Sequence, residues 1–240
     1  MPKLRTNQRK TMEQEQDPLD RIQRMLENKS TAKQITYKNL LAAFDQLSKE
    51  AKRVSGELKK KFKPGDQDVT IDFKKINDHE FQMKLAGDML IFVLHTNIVT
   101  FEEDSEVMKD PYIREKEINR YFGQIMIYNF MSDSIKFNRV NDPGYLLARL
   151  LVNHEGRYIV EGEGKLGVVF SNISPAPLSE SDLNILVKLA LTLAIENDLM
   201  APPYPQVKFI TLLQKIEKTQ ELGGGQKIGF RMSYHGKLEA

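Results

Sequence analysis

The stretch from residue 69 to residue 170 constrains the fold most, because it consists of short alternating apolar and polar segments separated by turn residues. Alternation with a period of two is typical of a strand with one buried face. Turn signals such as Gly87-Asp88 divide these segments, and most of the connections are too short for a crossover helix. Short connections favour antiparallel neighbours. The predicted strands cover residues 69–73, 81–85, 89–94 with an extension toward 101, 121–131, 135–140, 145–152, 157–161 and 166–170.

Two helices are predicted before this stretch. Asp17-Pro18 is a good helix start, because an Asp side chain accepts from an early backbone N–H and proline lacks the N–H that would otherwise be unpaired. The first helix ends near Asn28, and the second covers about 36–63 and stops at Pro64-Gly65. The apolar residues Leu19, Ile22, Met25 and Leu26 share one face of the first helix.

The second helix carries the strongest periodic signal in the chain, a heptad stripe whose apolar residues are spaced by alternating steps of three and four. Its members are Tyr37, Leu40, Phe44, Leu47, Ala51, Val54 and Leu58. Such a stripe is typical of a coiled coil or helix pair that binds another subunit. It is also what a helix shows when it packs against the first helix or the sheet of its own chain. The sequence leaves both interpretations open.

Helices also follow the strands. Ser179 or Ser181 caps a helix that runs to about Asn197 and is apolar on almost every side, which predicts a place in the core. Prolines separate it from a final helix over 207–222. A shorter helix is predicted after Asp110-Pro111, within the series of strands.

Together these elements predict an α+β fold, with an N-terminal helical pair, a curved antiparallel β-sheet meander and two C-terminal helices of which the first is packed in the core. The predicted organisation is a disordered basic arm over 1–16, a helical segment over 17–63, an antiparallel α+β domain over 64–222 and a flexible C-terminal tail over 223–240.

Composition favours a cytoplasmic protein. The chain has no Cys, which excludes disulfides, thiolate nucleophiles and cysteine-bound metals and suits a reducing compartment. No apolar segment approaches the roughly 20 residues that cross a bilayer, and no apolar core of a signal peptide follows the basic N-terminus. We therefore expect no membrane association. A net charge of +2 gives no overall attraction to nucleic acid.

Local basic patches nevertheless make nucleic-acid binding an alternative. Basic residues outnumber acidic ones between Lys33 and Lys63, and the C-terminal tail places aromatic residues between cations. Such residues contact phosphates and stack on bases. The more common role of a basic helix face is solvation. The nucleic-acid candidates are Lys49, Lys52, Arg53, Lys59, Lys60, Lys61, Phe230, Arg231 and Tyr234.

Chemical motifs are weak by comparison. Residues 162–167 spell G-x-G-x-x-G, but the strand predicted at 166–170 would deprive this segment of the helix that a dinucleotide site requires. The histidines are far apart, with no metal-ligand spacing, so we predict no metal and no cofactor. His95 and Arg149 are the candidates for a pocket in the sheet, since Arg149 interrupts an apolar strand. The alternative for Arg149 is an outward-facing position.

The preferred hypothesis is therefore a non-enzymatic cytoplasmic adaptor or assembly subunit, which binds a protein partner or a second copy of itself. Its predicted partner-binding residues are Tyr37, Leu40, Phe44, Leu47, Val54 and Leu58 of the heptad stripe. The first alternative is a nucleic-acid-binding protein that uses the basic helix and the tails. The second is a small-ligand binder or an enzyme with a pocket in the curved sheet.

Overall fold

The computed structural model describes residues 17–62, 69–198 and 203–221. The basic arm and the C-terminal tail that the sequence predicts, residues 1–16 and 223–240, lie outside this part of the chain. The described residues form a six-stranded sheet in which neighbours in sequence are neighbours in space and every pair is antiparallel. The strands are β1 (Ile71–Asn77), β2 (Glu80–Leu85), β3 (Asp88–Val99), β4 (Phe122–Met131), β5 (Tyr145–Asn153) and β6 (Tyr158–Gly162).

Helices precede, interrupt and follow the strands, which confirms the α+β prediction. They are α1 (Pro18–Met25), α2 (Thr31–Lys61), α3 (Glu106–Lys109), α4 (Pro111–Glu115), α5 (Ser132–Lys136), α6 (Lys165–Val169), α7 (Glu180–Glu196), α8 (Tyr204–Val207) and α9 (Leu212–Glu221). The caps that the sequence indicates are formed: Asp17, Asp110 and Ser179 each accept a hydrogen bond from a backbone N–H in the first turn of α1, α4 and α7.

The predicted N-terminal helical pair takes the form of one long helix rather than two packed helices. A π-helical turn over Leu26–Ser30 joins α1 directly to α2. A π turn inserts one residue into the helical repeat, and so it changes the direction of the apolar face without breaking the helix. Since no loop intervenes, α1 cannot fold back onto α2, and the heptad stripe finds its partner elsewhere in the chain.

That partner is one face of the sheet, which we call the inner face. Helices α2 and α7 pack on it and share a single apolar core with it. The inner-face residues in this core include Phe81, Met83, Leu85, Leu90, Phe92, Leu94, Ile125, Ile127, Leu150, Val152, Tyr158 and Val160. The ring of Phe81 lies between Phe44 of α2, at 5.2 Å, and Phe92 of β3, at 4.4 Å between centroids. The prediction that the helix before Asn197 is packed in the core is confirmed by α7.

The other face of the sheet, the outer face, is partly covered by the long connection between β3 and β4. Met108 of α3 and Ile113 of α4 pack against Phe122, Leu151 and Ile159 in a second, smaller apolar cluster. Side chains alternate between the two faces along a strand, so β4 and β5 contribute to both clusters. This connection leaves the outer face of β4 and β5 open beyond the cluster.

Two predicted strands are wrong. Residues 132–136 form α5, and Ile135 is exposed. Strand β4 pairs with β5 from Phe122 to Asn129, which lies opposite Tyr145. The residues that connect β4 to β5 therefore have no strand to pair with. Short apolar segments of this kind look alike in sequence whether they fold as helix or strand.

The second wrong strand, 166–170, is the short helix α6. Its glycines explain the turn that permits it. Gly164 has a φ of +55°, which glycine adopts without strain, and a Cβ on Gly167 would lie 2.5 Å from the carbonyl oxygen of Gly162. The close backbone approach therefore requires glycine at these positions.

The predicted final helix over 207–222 is also divided. Helix α8 begins before it, at Tyr204, and α9 covers Leu212–Glu221 after a break.

Gly123 of β4 sets the distance between α2 and the sheet. A Cβ at this position would lie 2.7 Å from Cδ2 and 3.0 Å from Cβ of Leu40, whose side chain is fully buried. Gly56 lies on the same helix as Leu40, but a Cβ there would meet nothing within 4 Å.

We therefore expect the same substitution to have opposite effects at the two glycines. Gly123→Ala should lower the free energy of unfolding by about 1–3 kcal/mol, because it overpacks a filled core. Gly56→Ala should raise it by about 0.5–1 kcal/mol, since alanine favours the helix more than glycine does and its Cβ would meet open space there. Urea denaturation of both variants measures the difference. A loss of stability in both, or a gain in both, would contradict the packing described here.

Candidate functional site

The heptad stripe is buried inside the chain. Leu40, Phe44, Leu47 and Val54 belong to the apolar core, while Tyr37 and Leu58 are partly buried against it. The interpretation in which the stripe packs against the sheet of its own chain therefore describes the structure. The four buried side chains present almost no surface to a second chain, and Tyr37 and Leu58 present only part of theirs.

The basic candidates on α2 divide into two groups. Three of them lie in ion pairs: Lys49 with Asp45 at 2.6 Å, Lys59 with Asp72 at 3.0 Å, and Arg53 with Glu50 and Glu57. The Arg53 guanidinium, opposed by partial burial, lowers the pKa of the Glu50 carboxyl. Lys52, Lys60 and Lys61 are exposed. Phe230, Arg231 and Tyr234 lie outside the described residues.

Helix α1 presents an apolar face that nothing in the described chain covers. Leu19, Ile22, Met25 and Leu26 have exposed fractions of 69%, 51%, 49% and 58%. No residue of α1 is buried, and each of residues 17–28 is exposed. The four side chains lie within about 120° of the helix circumference, given 3.6 residues per turn. We call this surface the α1 apolar face.

The residues of α9 show the same property. Leu212, Leu213 and Ile216 are exposed, as is Phe209 before the helix. Four apolar residues near the start of the described chain and four near its end are therefore exposed. The spacing of Leu19, Ile22, Met25 and Leu26 predicted the face on α1, but it gave no sign that this face would be uncovered.

A cleft lies on the outer face of the sheet and Arg149 is among its lining residues, while the neighbouring Leu150 belongs to the core on the inner face. Its floor is made by Gln124 and Met126 of β4 and by Arg149 and Leu151 of β5. Its wall is the chain that leaves β3, residues 99–105, and its volume is ≈ 500 Å³. We call it the Arg149 cleft. His95, opposite Gln124 in the β3–β4 register, is exposed and is not among the lining residues.

The polar atoms of the Arg149 cleft are unequally satisfied. Arg149 donates from Nε and Nη2 to Glu161 Oε2, with the Nε bond at 2.7 Å. Gln124 is only 5% exposed, and within the described residues its Oε1 has no hydrogen-bond partner. The same holds for the buried Oγ of Ser105, which stands at the N-cap of α3 without capping it. Buried polar groups are normally paired, so two unpaired oxygens at one cleft are unusual.

A polar network fixes the connection between β3 and β4 to the turn between β5 and β6. Asn153 donates to the hydroxyl of Tyr112 at 2.7 Å, and that hydroxyl donates to Glu155 at 3.0 Å. The guanidinium of Arg157 lies 4.0 Å from the Tyr112 ring centroid. Burial, opposed by the Asn153 bond, raises the pKa of Tyr112 to about 12. Each of these polar groups is bound to another side chain of the protein, which is typical of a structural network.

His154, at the turn between β5 and β6, also belongs to this network. Its Nε2 lies 3.0 Å from Asn119 Oδ1. The Asn119 amide nitrogen donates to the carbonyl of Tyr112 at 2.6 Å, so Oδ1 accepts and the imidazole donates. Burial lowers the pKa of His154, and nearby Lys116 lowers it further against the opposite effect of Glu155.

The G-x-G-x-x-G segment has a different context from the one its sequence predicted. Strand β6 is followed by helix α6, so the helix that seemed to be lacking is present. However, α6 has five residues and follows an antiparallel strand, whereas dinucleotide sites use a long helix after a parallel strand. Close backbone packing at Gly162 and Gly167 accounts for these glycines.

Neither a metal-binding cluster nor a membrane-spanning helix is present in the described ranges. Over 17–62, 69–198 and 203–221, no group of three or more His, Cys, Asp or Glu side chains is placed to hold a metal ion. Within the same ranges no helix has the length and apolarity to cross a membrane. Comparison with known proteins found no matching family model, no matching curated protein and no matching solved structure.

The His154 contact predicts a specific pH dependence of stability. Because the pKa of His154 is lowered in the folded state, the unfolded chain binds more protons. The stability contributed by the neutral ring is therefore present above the ordinary pKa near 6.5 and is lost as the pH falls. Replacing the ring by a neutral donor, His154→Gln, should flatten the decline in unfolding free energy between about pH 7 and pH 5. The slope should change by at most about 1.4 kcal/mol per pH unit, the effect of one proton. Urea unfolding at several pH values measures it, and identical slopes for both proteins would contradict the assignment.

Proposed function

We propose that the protein is a non-enzymatic interaction protein and that it binds a protein partner through the α1 apolar face. The observation that carries this proposal is the exposure of Leu19, Ile22, Met25 and Leu26 on a helix with no buried residue. Contact between apolar surface and water is unfavourable, and a protein partner that covers this surface removes it from water. The absence of Cys fits the cytoplasm as the place where this happens.

The continuity of α1 with α2 supports this role. An isolated helix of eight residues is marginal in water, because its first turn fixes several residues for one hydrogen bond. Here α2 is anchored in the core and supplies the nucleus, so α1 extends an existing helix. Its apolar face is therefore held in a helical form before binding, which lowers the ordering cost of association.

The chemistry of α1 indicates the kind of partner. Its apolar face follows the spacing i, i+3, i+6 and i+7, which shares three of the four anchor positions i, i+3, i+4 and i+7 of a helix that enters an apolar groove. The opposite side carries both signs of charge, with Asp20, Arg21, Arg24 and Glu27, and a hydrogen bond from Gln23 to Glu27 at 2.7 Å. The proposed partner is a protein with an apolar groove and a polar rim of mixed charge. A second copy of the chain is the alternative that sedimentation would detect.

The nucleic-acid alternative receives less support from the charges of α2. The three basic candidates in ion pairs have local carboxylates that offset their attraction to phosphate. Only Lys52, Lys60 and Lys61 among the described candidates lie outside the pairs given above, and exposed lysines on a helix are more often solvated.

The test is capture of tagged protein with partners from an extract of its native cells, after nuclease treatment. Ile22→Asp with Leu26→Asp should reduce recovery of the specific partner at least tenfold, since each buried apolar side chain contributes about 1.5–3 kcal/mol. Because both positions are exposed, the unfolding free energy should change by less than about 0.5 kcal/mol.

The matched control is Asn28→Asp with Gln34→Asp, which adds the same charge at exposed polar positions of the same continuous helix. It should leave recovery unchanged. Equal loss in both double variants would show that added charge is responsible, and equal recovery in both would contradict a role for the α1 apolar face. A salt-sensitive, nuclease-sensitive association would favour the nucleic-acid alternative.

A further inference from the structure

We propose that the Arg149 cleft binds a small molecule that carries an ammonium group on an apolar body. The cleft is separate from the α1 apolar face, so this inference does not depend on the proposed protein partner. The cleft combines a preformed volume, two unpaired buried oxygens, an arginine neutralised by Glu161 and an exposed carboxylate, Glu102.

The shape of the cleft comes from an irregularity in the sheet. His95 pairs with Gln124 and Val99 pairs with Phe122, so β3 has two more residues than β4 between these pairs. Such a bulge bends the strand and redirects the chain that follows it. Here it turns residues 99–105 over the outer face of β4 and β5, and the open cleft between them has a volume of ≈ 500 Å³. Small-molecule sites in proteins usually occupy about 300–1,000 Å³.

Gln124 Oε1 can only accept and therefore requires a hydrogen-bond donor, whereas the Ser105 hydroxyl can accept or donate. Gln124 Oε1 and Ser105 Oγ belong to residues that line the cleft, and both atoms are enclosed by protein. The last torsion of a glutamine side chain is soft, and a serine hydroxyl turns readily, so small rotations bring both oxygens toward a ligand. A buried acceptor without a donor is costly, and a ligand N–H that reaches it removes that cost.

Charge favours a cation as the donor. The positive charge of Arg149 is already held by Glu161, whose carboxylate accepts from two of its nitrogens. Glu102 lines the cleft and is exposed, and Asp104, two residues further along the chain, is also exposed. Arg120 offsets Glu103 and donates from Nε to Thr100 Oγ1 at 3.1 Å. The lining thus carries one neutralised cation and one carboxylate at its mouth.

The remaining lining is apolar and suits a hydrocarbon or aromatic body. Val99, Phe101, Met126 and Leu151 supply it. The Phe101 ring is fixed by an edge-to-face contact with Phe122, with centroids 5.5 Å apart. An aromatic face near a bound ammonium adds a cation–π attraction. Gln124 and Arg149 are diagonal neighbours on β4 and β5, so about 7–8 Å separates their Cα atoms.

The experiment uses phenethylammonium as the probe and 3-phenylpropionate as a carboxylate of similar shape. Methionine methyl resonances of the full chain, assigned by substitution, report where each one binds. We expect phenethylammonium to shift Met126, on the cleft floor, and to leave the buried Met83 of the inner face unchanged. We expect 3-phenylpropionate to bind at least tenfold more weakly.

Substitutions identify the acceptor. Gln124→Leu should weaken phenethylammonium binding by about ten- to a hundredfold, the value of a hydrogen bond to a charged group. Gln124→Glu should strengthen it. The matched control is Gln82→Leu on β2, which makes the same change outside the cleft lining and should leave affinity unaltered. If Gln124→Leu does not fold, the exposed substitution Glu102→Gln should still weaken binding about two- to fivefold.

Three results with the wild-type chain would overturn the proposal. They are preferential binding of the carboxylate, amine binding that shifts other methionines but not Met126, and an absence of binding by the wild-type chain at millimolar amine. Equal weakening by Gln124→Leu and Gln82→Leu would also overturn it, because it would assign the effect to the sheet as a whole.

Discussion

The packing of α2 on the inner face of the sheet determines the rest of the structure. Leu40 enters the space that Gly123 leaves open on β4, and Phe44 contacts Phe81 of β2. Polar contacts hold the helix on both sides: Asn39 donates to the carbonyls of Asn153 and His154, at 3.1 and 2.8 Å, and α7 contributes a hydrogen bond from Asn184 to Glu50. The long helix, the meander and α7 thus form one core.

This packing also decides where interaction surfaces remain. The strongest apolar pattern in the chain is used internally, so it is unavailable to a partner, and the apolar residues left over lie where the helix continues beyond the sheet. On the opposite side, the connection between β3 and β4 covers part of the outer face, and the polar network of Tyr112 and Asn153 fixes it there. What it leaves uncovered is the Arg149 cleft. Both proposed sites are consequences of incomplete coverage of apolar elements.

Local signals made much of the fold predictable. Alternation identified most strands, and the N-cap residues Asp17, Asp110 and Ser179 marked the starts of helices, because both depend on neighbours within a few residues. The strands expected at 135–140 and 166–170 failed because a short apolar segment does not reveal its period. The tight turn at Gly162–Gly167 depends on a backbone contact that the sequence does not announce.

The sites were less predictable, because each depends on distant parts of the chain. A stripe with a period of 3.5 shows that a face is buried, but it does not say against what. Arg149 stood out because it interrupts an apolar strand, and its outward direction follows from alternation. The wall of its cleft comes from residues 99–105, and the pairing of Arg149 with Glu161 joins neighbouring strands. His95 lies beside Gln124 in the register but outside the lining, so strand pairing alone does not decide which residues line the cleft.

Hydrogen exchange measures most directly whether the heptad stripe is an internal element. Amides of residues 40–54 should exchange only through global unfolding, and their protection should be the same at low and at high micromolar protein concentration. Amides of α1 should exchange faster, since packing does not protect them. Protection of residues 40–54 that rises with protein concentration would mean that a second chain buries the stripe, and it would contradict this account.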